Sequence, residues 1–397
     1  MSDVLVMNRA ISRFFSQIVE IRRYLHQHPE LSGKEEQTAI FICKCLDDLQ
    51  IPYNKDVAGH GIVALLSGTR ENGSGKTIAL RADMDALPIT EMTNVTYSSV
   101  NDGVMHACGH DVHMAALLGT LMVLNECKDL FSGNVKAIFQ PSEEEYEGGA
   151  PFMIEAGVLE NPDVDAIFGL HVSPELRSGT IGLREGAFMA STDEIHLTVL
   201  GKGGHAALVD EIVNPIIIAA KVIEEIDCQV NRAKPGDVDM VLSFGRLLAE
   251  GSCNIIPDKA VIAGTFRTFS EEWRVKVLAM ITDIATRTAR EMGGTCEVNI
   301  RNGYPVLKND PDVTRRVSGY ASEWLGAQNV ITIPKRMTAE DFSYYLQKLP
   351  GTFFRLGTQP PIGESRGALH SAYFDIDETA LQTAVGVLSQ VVLGELG

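Results

Sequence analysis

The sequence has little positive charge, no long apolar run and few cysteines. Its 397 residues include 34 Lys or Arg against 52 Asp or Glu, which gives a formal net charge of −18 at pH 7. That balance argues against a nucleic-acid partner and against an anionic membrane surface, because both select basic proteins. No charge-free apolar run is long enough to span a bilayer. The N-terminal stretch MSDVLVMNRAISRFFSQIVE lacks the basic start and the uninterrupted apolar segment of a signal peptide.

The seven cysteines are an odd number and are scattered along the chain. Without a secretion signal, they predict reduced thiols in a cytoplasmic protein rather than a disulfide framework. Apolar residues make up 45% of the chain and charged residues 22%, which is the balance of a globular protein. The length exceeds what one ordinary core accommodates, so we expect two domains.

Short apolar runs alternate with helical patterns through the first half of the chain. Ser32 followed by Glu35 has the spacing of a capping box, which predicts a helix that begins there and runs to about Leu49. We further predict buried strands over residues 77–83, 134–140 and 165–171, and helices over residues 8–26, 112–127 and 151–159. Strands and helices in alternation indicate an α/β domain with a largely parallel sheet.

A different pattern begins near residue 186. From there to residue 302 the segments follow the order strand, helix, strand, strand, helix, strand, which is typical of a ferredoxin-like α+β unit. From Gly303 the chain returns to further helix and strand elements. We therefore predict a discontinuous catalytic domain of residues 1–185 and 303–397, with an inserted lid domain of residues 186–302.

Polar side chains that can bind a metal follow the predicted strands. They are Arg81, Asp83 and Asp85 at the first strand, Glu143, Glu144 and Glu145 after the second, and His171 at the end of the third. Cys108 and His110 directly precede a helix that Asp111 is predicted to cap. In open α/β sheets, ligands bind outside the carboxyl ends of the strands, so we expect these side chains to converge.

The stretch MHACGHDVH, residues 105–113, is compatible with two kinds of catalysis. Cys108 and His110 could act as a thiol nucleophile and its base, but the glutamates and His171 would then have no role. A metal site gives all of them a role. Imidazole, thiolate and carboxylate together suit Zn²⁺, while several oxygen ligands leave Mn²⁺ open. Five ligands exceed one tetrahedral site, which indicates two metal ions that share a ligand and carry out hydrolysis, with a spare glutamate as general base.

Motifs along nearly the whole chain resemble the M20 metallopeptidase and amidohydrolase family. The similarity is to its branch of N-acyl-amino-acid, hippurate and auxin-conjugate amidohydrolases. The motifs include LRADMDALPI, MHACGHDVHMAALLG, FQPSEEEYEGGA, GLHV, GKGGHAA, NIIPDKAVIAGTFRTF and LHSAYFDIDE. The resemblance implies a zinc-peptidase-like catalytic domain and two divalent metal ions per chain, Zn²⁺ or Mn²⁺. It also implies a homodimer formed through the lid domain.

The resemblance also implies a role for each matching residue. Cys108 would bridge the two metal ions. His110 and His171 would complete one site, and Glu144 and His370 would complete the other. Glu143 would be the general base that activates the bridging water. Asp83 would fix the orientation of a ligand imidazole.

Lid residues have implied roles as well. His205 would stabilise the oxyanion of the tetrahedral intermediate, either within its own chain or across the dimer. Asn254 and Arg267 would lie near the substrate carboxylate, although Arg267 could equally be a surface salt-bridge partner. His106 and His113 are interpreted as supporting residues rather than ligands.

Together these observations predict a dinuclear metal-dependent amidohydrolase that cleaves small N-acyl amino acids. An N-acetyl-diaminopimelate deacetylase or a dipeptidase of the same fold is the alternative enzyme. A non-catalytic, metal-holding peptide-binding module is the alternative outside enzymes. Glu143, a carboxylate with no ligand role left to fill, favours the enzyme. The family usually has glycine after the glutamate pair, where this chain has Glu145. In the lid loop it commonly has proline and aspartate where this chain has Val209 and Asn214, which leaves the loop geometry and so the substrate preference open.

Overall fold

The chain divides between two units that each contain a sheet of their own. Unit 1 combines Met1–Gly186, Lys308–Pro334 and Asp341–Gly397, and unit 2 combines Ala187–Leu307 and Lys335–Glu340. This computed structural model describes residues 3–71, 75–360 and 367–397. No helix in those three ranges is long and apolar enough to cross a membrane.

The regular elements are numbered along the chain. The strands are β1 (Tyr53–Val57), β2 (Gly61–Ser67), β3 (Thr77–Asp83), β4 (Asn134–Gln140), β5 (Ala166–Arg177), β6 (Ile181–Leu183), β7 (Gly186–Met189), β8 (Ser191–Leu200), β9 (Gly204–His205), β10 (Met240–Leu248), β11 (Ile255–Ile256), β12 (Lys259–Thr268), β13 (Thr295–Asn302), β14 (Leu307–Asn309), β15 (Val330–Thr332) and β16 (Gly351–Gln359). The helices are α1 (Asp3–Gln27), α2 (Glu36–Asp48), α3 (His110–Glu126), α4 (Ala150–Glu155), α5 (Pro215–Ala233), α6 (Glu271–Glu291), α7 (Pro311–Leu325), α8 (Ser343–Leu346) and α9 (Ala380–Leu396).

An eight-stranded mixed sheet runs through unit 1 in the order β1-β2-β4-β3-β5-β16-β6-β15. Its four central strands, β4, β3, β5 and β16, are mutually parallel, and antiparallel pairs flank them. Every residue of β3 is buried, as expected for a parallel strand that is covered on both faces. The α/β prediction is confirmed, and the sheet is mixed, with parallel strands at its centre.

Helices α1, α3 and α9 pack against one another in the core of unit 1. In α3 every residue from His110 to Leu124 is buried. A helix that is apolar on all sides belongs in the interior of a protein, which places the start of α3, with its histidines, inside the unit as well. Helix α1 begins at Asp3, five residues before the predicted start, because its first turn continues the same apolar face onto the core cluster.

The capping box predicted at Ser32 and Glu35 is wrong. Helix α2 begins at Glu36, and its flanking residue Glu35 provides no side-chain cap. Instead the carboxylate of Glu30 accepts the backbone N–H groups of Gln37 (3.2 Å) and Thr38 (2.8 Å). Ser32 and Glu35 do not cap the helix, and both bind residues near the ends of the central strands.

Unit 2 contains the antiparallel sheet β10-β12-β8-β13. Burial alternates along β8, as expected when one sheet face is covered and the other is not. Apolar residues of α5 and α6 form one core with this sheet. The chain order strand, helix, strand, strand, helix, strand therefore agrees with the ferredoxin-like prediction. Strands β9 and β11 pair separately, with His205 opposite Ile255.

Candidate metal centre

The ends of the central strands of unit 1 bring the predicted site residues to one edge of the sheet. Asp83 is the last residue of β3 and lies opposite Gln140, the last residue of β4. In β5, Gly169 lies opposite Arg81, so His171, two residues further along, is level with Asp83. Strand β5 continues to Arg177, so His171 lies within it and not at its predicted end, but the parallel register still places His171 beside the ends of β3 and β4.

The Cys108–His110 segment packs closely against β5. Gly109 has φ of +81°, and a Cβ atom there would lie 2.5 Å from Cγ2 of Val172. Only glycine combines the left-handed conformation with this contact. Helix α3 then begins at His110, so Cys108 and His110 lie at its start, beside the strand that carries His171.

Asp111 does not cap α3, contrary to the prediction. The N-cap position belongs to Gly109, and Asp111 lies in the first turn of the helix. Its buried carboxylate accepts hydrogen bonds from Nε of Arg22 (2.8 Å) and pairs with Nδ1 of His26 (2.8 Å). Sequence spacing could not separate a cap from this role, because both place an aspartate at a helix start.

Cys108, His110 and His171 form the first set of potential metal ligands. Nδ1 of His171 donates to the carbonyl oxygen of Val172 (2.8 Å), which leaves the Nε2 lone pair 3.3 Å from Sγ of Cys108. Nδ1 of His110 faces Oδ1 of Asp85 at 3.2 Å. Nε2 of His110 is buried and has no hydrogen-bond partner among the described residues. The ring of His171 therefore presents a lone pair at Nε2, and Nε2 of His110 is the ring nitrogen left for a metal ion.

Cys108, Glu144 and His370 form the second set, so the thiol of Cys108 belongs to both. Nε2 of His370 lies 3.3 Å from Sγ of Cys108 and 3.3 Å from Oε1 of Glu144. Ligand atoms around a tetrahedral zinc ion are roughly 3.5 Å apart, given bonds of about 2.0–2.3 Å. Within each set the ligand atoms lie within 4.8 Å of one another. The donors therefore fit two metal ions that share one thiolate.

Electrostatics argue against Cys108 as a free nucleophile. Burial, together with the charges of Glu144 and Glu143, raises the pKa of the Cys108 thiol well above its usual range. A reactive cysteine needs the opposite environment, with positive charge that stabilises the thiolate. A metal cation supplies that charge, so the thiol suits ligation and not unassisted attack.

The imidazoles respond to the same surroundings. Burial, together with the positive charge of Arg355, lowers the pKa of His171 well below its usual range, which keeps its ring neutral. Burial alone would lower the pKa of His110, but the carboxylates of Asp83 and Asp85 outweigh it and raise that pKa to about 10. The site therefore has excess negative charge around His110, which a cation would balance.

Glu143 and Glu144 lie on a loop that two buried carboxylates hold by its backbone. Oε1 of Glu35 accepts the N–H of Ser142 (2.8 Å), and Oδ2 of Asp85 accepts the N–H of Glu144 (2.9 Å). Glu143 is itself buried, and its Oε2 lies 3.9 Å from Nε2 of His110. The loop thus turns both glutamates toward His110, and Glu144 toward His370 as well.

The sequence groups Asp85 with the other strand-end residues, but the orienting role predicted for Asp83 belongs to Asp85 in the structure. Its hydrogen bond orients the His110 ring, whereas Asp83 lies 3.8 Å from that nitrogen and bonds His113 instead (2.5 Å). Nε2 of His113 accepts the N–H of Val172 (3.0 Å), so both of its ring nitrogens are occupied within the protein. The signal was present in the sequence, since Asp85 lies two residues beyond the strand end, but spacing alone could not rank the two aspartates.

A second layer of charge lies behind Asp83. The guanidinium of Arg81 contacts Asp83, Oδ1 of Asp341 (2.6 Å) and Oε1 of Gln140 (3.0 Å).

His106 is fully buried, and neither of its ring nitrogens has a partner within the part of the chain that the structure describes. Burial lowers the pKa of His106 to about 3, so it is a neutral residue of the interior.

The predicted lid residues all lie in unit 2. Asn254 and His205 are neighbours there, because the carbonyl oxygen of Asn254 accepts the N–H of Ala206 (3.0 Å). Nδ1 of His205 accepts the N–H of Ala207 (3.2 Å), which leaves the proton on the Nε2 atom of an exposed ring. Arg267 donates to the carbonyl oxygen of Met337 (2.8 Å) and forms no ion pair with any described residue.

Comparisons with known proteins agree with this centre. The family model described as Peptidase family M20/M25/M40 matches residues 79–394. The chain is 39% identical over 372 residues to an N-acetyl-L-cysteine deacetylase of Bacillus subtilis, which covers 94% of this chain and 86% of that protein. It is 37% identical over 373 residues to an IAA-amino acid hydrolase of Arabidopsis thaliana, covering 93% and 83%. A solved dinuclear metal-binding peptidase of the M20 family from Bacillus subtilis is 35% identical, with a TM-score of 0.83 over 97% of this chain and 99% of that one.

Proposed function

Since the chain belongs to Peptidase family M20/M25/M40, as its motifs indicated, we propose that it cleaves the amide bond of small N-acyl amino acids with the help of two divalent metal ions. It is a hydrolase, and its relatives include enzymes that remove acyl groups from amino acids. One observation carries the proposal: two sets of metal ligands share Cys108, and Glu143 lies beside them as an additional carboxylate.

The proposed ligands are Cys108 for both ions, His110 and His171 for one, and Glu144 and His370 for the other. Thiolate, imidazole and carboxylate suit Zn²⁺ or Mn²⁺. When bound, such a pair lowers the pKa of a water molecule and polarises the amide carbonyl.

Glu143 is the proposed general base. It takes a proton from the attacking water and delivers it to the leaving amine nitrogen, which balances the charge of both steps. We assign stabilisation of the oxyanion to His205, whose exposed Nε2 carries a proton and can donate it in a hydrogen bond. Asn254 and Arg267 are the proposed partners of the substrate carboxylate.

We also propose that the protein is a cytoplasmic homodimer. All seven cysteines are free thiols, which suits a reducing compartment. Strand β10 lies at the edge of the unit 2 sheet and exposes Val241, Leu247 and Leu248. A long apolar edge strand of this kind is a pairing surface for another chain. The expected substrates are small molecules, with no nucleic-acid or membrane partner.

Two variants together test whether Glu143 is the general base and Cys108 a metal ligand. Glu143→Ala should keep both metal ions, because its carboxylate is not a proposed ligand, while kcat falls by about 10²–10⁴. Cys108→Ala should lose metal as well as activity, since it belongs to both ligand sets. Metal content is measured by elemental analysis and turnover with N-acetyl and N-benzoyl amino acids. A Glu143→Ala enzyme with normal turnover would rule out the base assignment.

A substrate panel separates the remaining alternatives. Hippurate, N-acetyl amino acids, N-acetyl-diaminopimelate and dipeptides are compared on enzyme reconstituted with Zn²⁺ or Mn²⁺. We expect the highest kcat/KM for an N-acyl amino acid and inactivation by chelators. Activity that survives full metal removal would favour a cysteine nucleophile, and stoichiometric metal without hydrolysis of any compound would favour a binding module.

A further inference from the structure

An arginine without any exposed surface lies behind the metal centre. Arg22 belongs to α1, and its side chain has 0% exposure. Nε donates to Oδ2 of Asp111 (2.8 Å), and Nη2 donates to Oδ1 of Asp375 (3.0 Å). Tyr97 also donates to Asp375 (3.1 Å), and its ring lies 5.1 Å from the guanidinium carbon. One rigid cation therefore joins two carboxylates that are far apart in the sequence, and its Nη1 also lies 3.7 Å from Oε1 of Glu378.

The two carboxylates belong to the segments that carry metal ligands. Asp111 directly follows His110, and Asp375 lies five residues after His370. His370 itself has φ of +61°, a left-handed conformation that a residue with a side chain rarely adopts. Its N–H donates to the carbonyl oxygen of Ala107 (2.8 Å), which also joins these segments.

The two ligand sets depend on this bridge to different extents. His171 lies on β5, a central strand held by its own backbone pairing, and the other ligands of its set precede Asp111 directly. The second set needs Cys108 and His370 to be 3.3 Å apart, although they lie on the two segments that Arg22 joins. A shift between those segments would therefore spoil the second set and leave the first intact.

We propose that Arg22 is a positioning residue that holds the His370 turn against the Cys108–His110 segment and so sets the affinity of the second metal site. The inference rests on the proposed two-metal centre. Buried ion pairs contribute little stability compared with apolar groups of the same volume, so fold stability alone does not account for a fully buried guanidinium. Its planar fork, which holds two carboxylates at fixed angles, is what a lysine lacks.

The experiment compares Arg22→Lys and Asp375→Asn with the matched control Arg23→Lys. Arg23 is the next residue of α1 and also pairs with a carboxylate, since its Nε and Nη2 donate to Glu378 (2.8 and 2.6 Å). It is 46% exposed in its side chain and contacts neither Asp111 nor Asp375 in these pairings. Stepwise Zn²⁺ titration against a competing chelator gives two dissociation constants for each protein, and thermal melting of the metal-free form reports folding.

We expect one dissociation constant to change less than about 3-fold and the other to rise about 10–100-fold in both test variants. Arg23→Lys should match the wild type. Equal weakening of both sites, or two wild-type affinities, would overturn the role of Arg22. Asp375→Asn keeps the Arg22–Asp111 pair, so it decides the question if Arg22→Lys does not fold. A wild-type chain that binds two ions but hydrolyses no acyl amino acid would overturn the proposed function alone.

Discussion

At the scale of single side chains, the carboxylate of Asp85 holds two proposed ligands at once. Oδ1 faces Nδ1 of His110, and Oδ2 accepts the backbone N–H of Glu144 and the hydroxyl of Ser32 (2.6 Å). A carboxylate next to Nδ1 holds the proton on that nitrogen, so the proton that His110 releases on binding a metal ion is the one on Nε2. The tautomer of His110, and not only its position, therefore depends on a negative group at residue 85.

Asp85→Asn should disturb this tautomer without changing the size of the side chain. The amide can still accept from Glu144, but it then turns its NH₂ group toward Nδ1 of His110 and favours the form with a proton on Nε2. We expect metal affinity at the His110 site to fall about 10–100-fold, as is usual when a partner of a ligand histidine is lost. Zn²⁺ titration measures the change.

Ser32→Ala is the control for Asp85→Asn, because it removes one hydrogen bond from the same carboxylate and leaves the two contacts to ligand residues. It should alter metal affinity less than about 3-fold, because the Asp85 carboxylate keeps its charge and its contacts with His110 and Glu144, so the lost hydrogen bond affects the ligands only indirectly. An Asp85→Asn protein that matches this control in both affinities would show that the tautomer is fixed by other groups.

At the scale of elements, the start of α3 depends on a contact with β5 that only glycine permits. Gly109→Ala should place a Cβ atom against Val172 and also strain a φ of +81°. We expect a loss of about 2–4 kcal/mol in the free energy of unfolding, from about 1–2 for the left-handed residue and the rest for overpacking. Chemical denaturation and Zn²⁺ titration should show lower stability together with weaker binding at both sites, since Cys108 moves.

Gly103→Ala separates the cost of the left-handed conformation from the cost of the contact with Val172. Gly103 has φ of +76°, but a Cβ atom there would meet nothing within 4 Å. Its loss of stability should stay near about 1–2 kcal/mol, with wild-type metal affinity. Equal effects of the two substitutions on stability and on metal binding would mean that contact with Val172 plays no part.

The elements themselves were predictable, while their terminal contacts were not. Continuous apolar runs in TIALRAD and NVKAIFQ predict buried parallel strands, and the structure has them as β3 and β4. The roles of Ser32 and Asp111 depend on residues that are distant in sequence, Asp85 and Arg22, and a local spacing rule cannot represent those pairs. Long-range hydrogen bonds thus override local capping signals at this site.

The difference between local patterns and long-range contacts also decides how much of the metal centre could be predicted. Strand ends placed Asp83, Glu144 and His171 at one edge, because topology alone decides which strand ends meet. His370 lies on a turn rather than at a strand end, so only similarity to a known family indicated it. Only the structure shows which aspartate orients His110, because Asp83 lies 3.8 Å and Asp85 3.2 Å from its Nδ1. No sequence pattern distinguishes two residues by so small a difference in distance.

At the scale of the whole molecule, two of the regions where unit 2 exposes apolar side chains bear on catalysis. One is the edge strand β10, and the other surrounds His205, where Leu208, Val209 and Ile255 have 50%, 70% and 56% of their surface exposed. A hydrogen-bond donor to an oxyanion is effective in a site that excludes water, because water weakens the interaction. The region around His205 in a single chain does not meet that condition, so activity should need a second chain.

We therefore expect the wild-type protein to sediment as a dimer and Leu247→Lys/Leu248→Lys to sediment as a monomer, because charge on an edge strand blocks pairing. Analytical ultracentrifugation measures the change. The monomer should keep both metal ions, whose ligands all lie in unit 1, yet lose most of its turnover. Val275→Lys is the control, since Val275 is 70% exposed on α6 and lies outside β10. A fully active monomer would place the action of His205 within its own chain, and a wild-type monomer would contradict the dimer itself.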